Sequence, residues 1–91
     1  MKATVTLPEL GAAPGCPITL SVWYALPGDL VLQGERLVEV LLEGATFDVS
    51  APVSGWLSEQ LALPRDLVRP GQVLGTIDVP DTEKLLAGDW G

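Results

Sequence analysis

The chain is nearly bare of the side chains that catalysis usually needs. It contains no histidine and one cysteine, Cys16, held between Gly15 and Pro17 in an expected loop. Without a base or co-ligands near it, Cys16 reads as a passive thiol rather than a nucleophile or zinc ligand. The lack of histidine also removes the usual triad chemistry. Amines are as scarce: the lysines are Lys2, close to the N-terminus, and Lys84, close to the other end. Asp29 and Asp66 recur because a turn recurs, and an aspartate there accepts a bond from a nearby backbone N–H. These residues argue against an independent enzyme.

Five basic and 12 acidic residues give a net charge of −7. A surface of that sign repels phosphate backbones, so nucleic acid is excluded as a partner class. The charge either serves solubility or selects a partner with a basic surface. Hydrophobic residues make up 47% of the 91 and mean hydropathy is +0.35, as for a folded chain. No apolar run approaches the roughly 18 to 20 residues that a membrane helix needs, so no membrane partner is expected. The opening Met-Lys-Ala-Thr-Val-Thr-Leu-Pro carries no long apolar segment before a small-residue cleavage site, and a cytoplasmic location is expected. The length suits one domain with one modest core, placed at 1–80, followed by a short tail at 81–91.

The elements that position these residues emerge when the chain is compared with itself. Leu20 to Val31 returns as Leu57 to Val68, and the match runs on through Gly34 and Leu37 onto Gly71 and Leu74. At an offset of 37 residues, ten of the eighteen positions from Leu20 to Leu37 are identical. Each copy is too short to bury its own apolar face, so the two are expected to interlock about an approximate two-fold axis.

Within each copy the signals are strand, turn, strand. Ile18, Leu20, Val22 and Tyr24 alternate with Thr19, Ser21 and Trp23, the two-residue period of a strand with one buried face. Pro27-Gly28-Asp29 and Pro64-Arg65-Asp66 read as turns, and Gln33-Gly34 and Pro70-Gly71 mark second bends before strands at 37–42 and 73–79. A first strand is expected at 3–7. Leu41 to Gly55 reads as a strand, a tight turn at Glu43-Gly44, a returning strand and an Ala-Pro-Val-Ser-Gly corner. No stretch keeps a helical period, although Thr82-Glu83-Lys84-Leu85-Leu86 is long enough for one helical turn. The predicted class is all-β, a flattened barrel or sandwich of two antiparallel sheets with internal pseudo-two-fold symmetry, a barrel-sandwich hybrid.

Four segments, in order, resemble the biotinyl/lipoyl-attachment domain family, and most closely the lipoyl domains of 2-oxo-acid dehydrogenase acyltransferases. They are Val5-Thr6-Leu7-Pro8-Glu9-Leu10-Gly11, Pro27-Gly28-Asp29-Leu30-Val31, Ser50-Ala51-Pro52-Val53-Ser54-Gly55 and Gly71-Gln72-Val73-Leu74. The resemblance implies a flattened barrel of two sheets whose hairpin tip carries a lysine acylated with lipoate or biotin. Counting back from Ala51-Pro52, both the lipoyl and the biotinyl patterns set that lysine on Gly44, flanked by Glu43 and Ala45. Glycine offers no amine to acylate. The family's polar Glu-Thr pair is replaced by Leu41-Leu42, and a smaller residue by Phe47.

Two functions follow from this resemblance. One is a binding or assembly module without a cofactor, whose partner is a component of a multienzyme complex or a second copy. Leu41, Leu42 and Phe47 then either contact it or point into the core, and Trp23, on the polar face by alternation, is a further contact unless a one-residue bulge buries it. The other is an acyl carrier of a dehydrogenase or carboxylase system, bearing lipoate or biotin on a displaced lysine such as Lys84. Trp56, just after the corner glycine, is expected in the core. No catalytic or metal-ligating residue is assigned.

Overall fold

The computed structural model describes residues 1–80. Eight strands follow one another: β1 (Lys2–Thr6), β2 (Ile18–Trp23), β3 (Leu30–Val31), β4 (Arg36–Leu42), β5 (Ala45–Ser50), β6 (Gly55–Gln60), β7 (Leu67–Val68) and β8 (Val73–Asp78). All pairings are antiparallel, in two four-stranded sheets ordered β1-β8-β6-β3 and β5-β4-β2-β7. The sheets do not close into a barrel, and among the described residues there is no helix. The segment set apart at 81–91, with its expected helical turn and Lys84, lies outside the described residues.

Replacing each strand of the first sheet by the one four places along generates the second, which is the two-fold relation expected from the repeat. The irregularities obey it too. Register slips at Ser21 in β2 and at Ser58 in β6, 37 residues on, and again at Leu37 in β4 and Leu74 in β8. Each bulge adds a residue to one strand and re-aims the side chains beyond it. Hence Leu37 and Val38 are both buried although adjacent, as are Leu74 and Gly75.

The halves are tied by exchanged backbone bonds. The Gly28 N–H donates to the Leu57 carbonyl (2.7 Å) and the Leu57 N–H to Asp29 (2.9 Å). In the mate, the Arg65 N–H donates to Leu20 (2.9 Å) and the Leu20 N–H to Asp66 (2.9 Å). Each turn is braced by its own aspartate, as expected: Asp29 Oδ2 accepts from the Leu26 N–H and Asp66 Oδ2 from the Leu63 N–H, both at 2.8 Å. Val5, Leu7, Leu20, Leu37, Val40, Leu57, Leu74 and Ile77 fill the space between the sheets from both halves. Neither half has that core alone.

The bulge at Ser21 decides the fate of the aromatic residues in β2. It turns Val22 and Tyr24 outward, against the simple alternation, and swings Trp23 against the core. Trp23 Nε1 donates to the Ala62 carbonyl (2.8 Å), and its ring lies so close to Gly75 that a Cβ there would stand 2.9 Å from Cη2. The symmetry mate Gln60 makes the same reach, Nε2 donating to the Ala25 carbonyl (2.9 Å). Trp56 departs from expectation in the other direction. It begins β6 on the outer face, opposite Leu30 and Asp78, and is half exposed.

Candidate functional site

The hairpin of β4 and β5 joins Leu42 to Ala45 through two residues, Glu43 and Gly44. Both have positive φ, 50° and 80°. Positive φ at both central positions defines the turn that matches the right-handed twist of a two-residue hairpin, and glycine enters it without steric penalty. Gly44 is exposed, and a Cβ built on it would meet nothing within 4 Å. Gly44 is therefore open to solvent, with clear space for a side chain, at the residue where the sequence register put the attachment position.

Along the hairpin the side chains sort by face. Leu42 is buried in the core and stands opposite Ala45, so it is withdrawn as a contact residue. Trp23 is withdrawn too, because its indole packs on the core and commits its N–H to Ala62. Leu41 and Phe47 remain accessible, at 41% and 37% exposure. They lie on opposite faces: Leu41 pairs with Thr46 on the outer face, while Phe47 pairs with buried Val40 at the free edge that β5 forms. The apolar surface expected around the turn is thus reduced to two residues flanking the tip.

The charges around them are mostly acidic. Glu43 stands at the tip, and Glu39 and Asp48 pair across the outer face below Leu41. Arg36 is 3.6 Å from Asp48 and lies 4.6 Å over the Tyr24 ring, while the Tyr24 hydroxyl donates to Glu39 (3.2 Å). Burial, then the charge of Glu39, pushes the Tyr24 phenol above its usual range.

One contact joins the tip to the loop between β1 and β2. Cys16 Sγ donates to Glu43 Oε1 at 3.2 Å. That bond, then burial and the carboxylate's charge, raises the thiol above its ordinary pKa. A thiol held protonated is a weak nucleophile, in keeping with the passive role read from the sequence. Beside it an open groove of about 570 Å³ runs between this loop and β7, lined by Cys16, Ile18, Leu67 and Arg69. The Cys16–Glu43 contact spans 27 residues of chain and has no local signal in the sequence.

The described residues do not fit a covalently attached lipoyl or biotinyl group at the tip, because an amide linkage needs the nitrogen that Gly44 lacks. Lys2 lies in β1 of the other sheet, 3.6 Å from Glu59. Among the described residues no group of three or more metal-binding side chains comes together.

Two antiparallel four-stranded sheets related by an internal two-fold, with an exposed two-residue hairpin at one end, define the lipoyl type of β domain. The comparisons agree. The chain is 36% identical over 75 residues to the dihydrolipoyllysine-residue succinyltransferase component of the 2-oxoglutarate dehydrogenase complex of Bacillus subtilis, covering 82% of this chain and 18% of that protein. It is 31% identical over 78 residues to the component of the same name from Bartonella vinsonii, covering 86% and 19%. The chain thus spans under a fifth of the length of these relatives. The lipoyl domain of the 2-oxoglutarate dehydrogenase complex of Azotobacter vinelandii superposes with a TM-score of 0.65 at 21% identity, over 82% of this chain and 96% of that domain. A single-chain, multi-domain long-chain acyl-CoA carboxylase matches with a TM-score of 0.68 at 15% identity, over 96% of this chain and 8% of that one. No family model matches the chain. The resemblance read from the sequence stands: the chain is similar to domains of the biotinyl/lipoyl-attachment type and shares the lipoyl-domain fold, and its hairpin tip holds Gly44.

Proposed function

We propose that the chain is a lipoyl-type domain that works as a non-catalytic binding or assembly module, carrying no acyl group on its hairpin. The observation behind this reading is Gly44 at the open tip, in a turn whose geometry is otherwise intact. A swinging-arm carrier needs a nucleophilic nitrogen there; a docking module needs only the surface around it. That surface offers Leu41, framed on the outer face by Glu39, Asp48 and the tip residue Glu43, and Phe47 at the free edge of β5. It suits a protein partner with an apolar seat bordered by basic side chains. The relatives named above are components of multienzyme complexes, which supports a protein of that kind as the partner.

The partner that co-purifies with the protein from its own host is the test. Completing the burial of Leu41 and Phe47 is worth about 1 kcal/mol each, given about 1.5 to 3 kcal/mol for a fully buried side chain. A charge in either place also adds a desolvation penalty. Leu41→Asp and Phe47→Asp should release the partner while the fold, judged by its unfolding transition, is kept. Retention by both variants would place the contact elsewhere. The same relatives support a second reading, an acyl carrier modified at a non-standard lysine. Incubation with lipoate or biotin ligase followed by peptide mapping separates the two: label on Lys84 or Lys2 favours the carrier, and an unlabelled chain the module.

A further inference from the structure

The free edges of the two sheets are not equivalent. β1 and β5 are symmetry mates, each ending its sheet with a neighbour on one side only. The remaining edges, β3 and β7, are two residues long. The two-fold sets Lys2 of β1 against Thr46 of β5, and Ala3 against Phe47. A lysine on an edge strand deters pairing with another chain, and the six residues of β5 include no lysine, arginine, proline or glycine. Phe47 is 37% exposed along that edge, where the mate carries only an alanine. β5 is also regular: the slip beside it places the extra residue, Leu37, on β4.

The hairpin fixes which backbone groups β5 leaves open. The residues flanking a two-residue turn form a hydrogen-bonded pair, and such pairs alternate with non-bonded ones along the ladder. Ala45 and Phe47 therefore turn N–H and C=O toward β4, and Ala51 keeps the same parity, its N–H donating to the Glu35 carbonyl (2.8 Å). Thr46, Asp48 and Ser50 turn theirs outward, and among the described residues no backbone partner meets them.

We propose that β5 pairs antiparallel with β5 of a second copy, about a two-fold axis through Phe47, so that the second sheets of two molecules become one. Such pairing sets outward residues opposite outward residues. Centring it on Phe47 or on Asp48 aligns five residues of each β5, whereas centring it on Thr46 or Val49 aligns three. The Asp48 register sets that aspartate against itself, and like charges directly opposite are destabilising. The Phe47 register instead sets Thr46 against Asp48 of the second copy and Ala45 against Val49. Its central pair is a non-hydrogen-bonded one, with Cα atoms about 4.5 Å apart, so the two phenyl rings come within reach and cover each other. Each Asp48 keeps its own Arg36, 3.6 Å away, and gains a threonine hydroxyl able to donate to it. The inference rests on the docking reading for Phe47 and names what covers it. Leu41, on the opposite face, is left for a different protein.

The test uses the full chain. Sedimentation equilibrium should show monomer and dimer exchanging with concentration. Thr46→Pro removes an outward N–H that β4 does not use; it should keep the unfolding transition and weaken the dimer at least tenfold, because the symmetric pair loses two bonds. In a Cys16→Ser background, Phe47→Cys should oxidise to a linked dimer faster than Asp48→Cys. Directly opposed Cα atoms fall within disulfide range, while the diagonal Asp48 pair lies about 7 to 8 Å apart. A chain that stays monomeric throughout the concentration series, an undiminished dimer in Thr46→Pro, or faster linkage through Asp48→Cys would overturn the proposal. Leu41→Asp should leave the dimer intact while it releases a co-purifying protein, so the docking reading and this one fail separately.

Discussion

Exchanging the residues at the centres of the two repeated turns should move stability in opposite directions. Gly28 and Arg65 are symmetry mates, each following a proline and preceding an aspartate, with φ of 96° and 79°. Both donate their N–H to the other half, so the backbone is held to the same course whichever residue is present. For Arg65 the left-handed conformation, which glycine adopts freely, costs about 1 to 2 kcal/mol. Glycine offsets roughly 0.5 to 1 kcal/mol of that advantage through its larger unfolded-state freedom. The Arg65 side chain is exposed and enters neither of the two ion pairs found among the described residues. Arg65→Gly should therefore stabilise the domain by about 0.5 to 1 kcal/mol, raising Tm by about 2 to 8 °C at roughly 4 to 8 °C per kcal/mol for a domain of this size. Gly28→Arg should lower stability by a comparable amount, since a Cβ at Gly28 meets nothing within 4 Å and strain alone is added. Urea unfolding with an unchanged m value is the assay. A fall in the urea midpoint for Arg65→Gly, or no change for Gly28→Arg, would refute the equivalence of the two turns.

Three further outcomes follow from the same geometry. Gly75→Ala would put a Cβ 2.5 Å from the Glu59 carbonyl and 2.9 Å from the Trp23 ring; a loss of about 1 to 3 kcal/mol is expected for such overpacking, by urea unfolding, and a neutral result would mean that Trp23 does not lie across β8. Cys16 should alkylate more slowly than an unstructured thiol at pH 8, and Glu43→Gln should speed it up by removing the acceptor and charge that raise its pKa. Because that pKa is raised, the folded state holds the thiol proton more tightly, so this contact supports stability below the ordinary thiol pKa, and that support is lost as pH rises from there through the raised pKa of the folded state; equal alkylation rates would show that the Cys16–Glu43 bond does not persist in solution. Gly44→Lys, whose Cβ has clear space but whose φ of 80° costs a side chain about 1 to 2 kcal/mol, should accept lipoate from lipoate ligase where the unaltered tip does not; an unlabelled variant would show that the surroundings of the tip, and not its missing amine alone, have left the carrier role.

Much of the architecture was legible because the chain states its core twice. The 37-residue repeat carries the two-fold, the aspartate-braced turns and the interlocking of halves, and the Gly-containing two-residue turn locates the hairpin tip. What strict alternation misses is the bulge. One extra residue at Ser21 reverses the faces of Val22 and Tyr24 and turns Trp23 against the core, and only partner strands reveal the slip. Leu41 and Leu42 are adjacent and equally apolar, so their separation into exposed and buried follows from pairing with Thr46 and Ala45, a tertiary fact. Trp56 misleads for the opposite reason: its size suggests the core, but its place at the start of β6 faces outward.

The intact mass of the protein purified from its own host tests the functional account most directly. A chain of unmodified mass, with Gly44 at an unacylated tip, is predicted. A mass increase matching a lipoyl or biotinyl group, mapped to any residue of this chain, would contradict it.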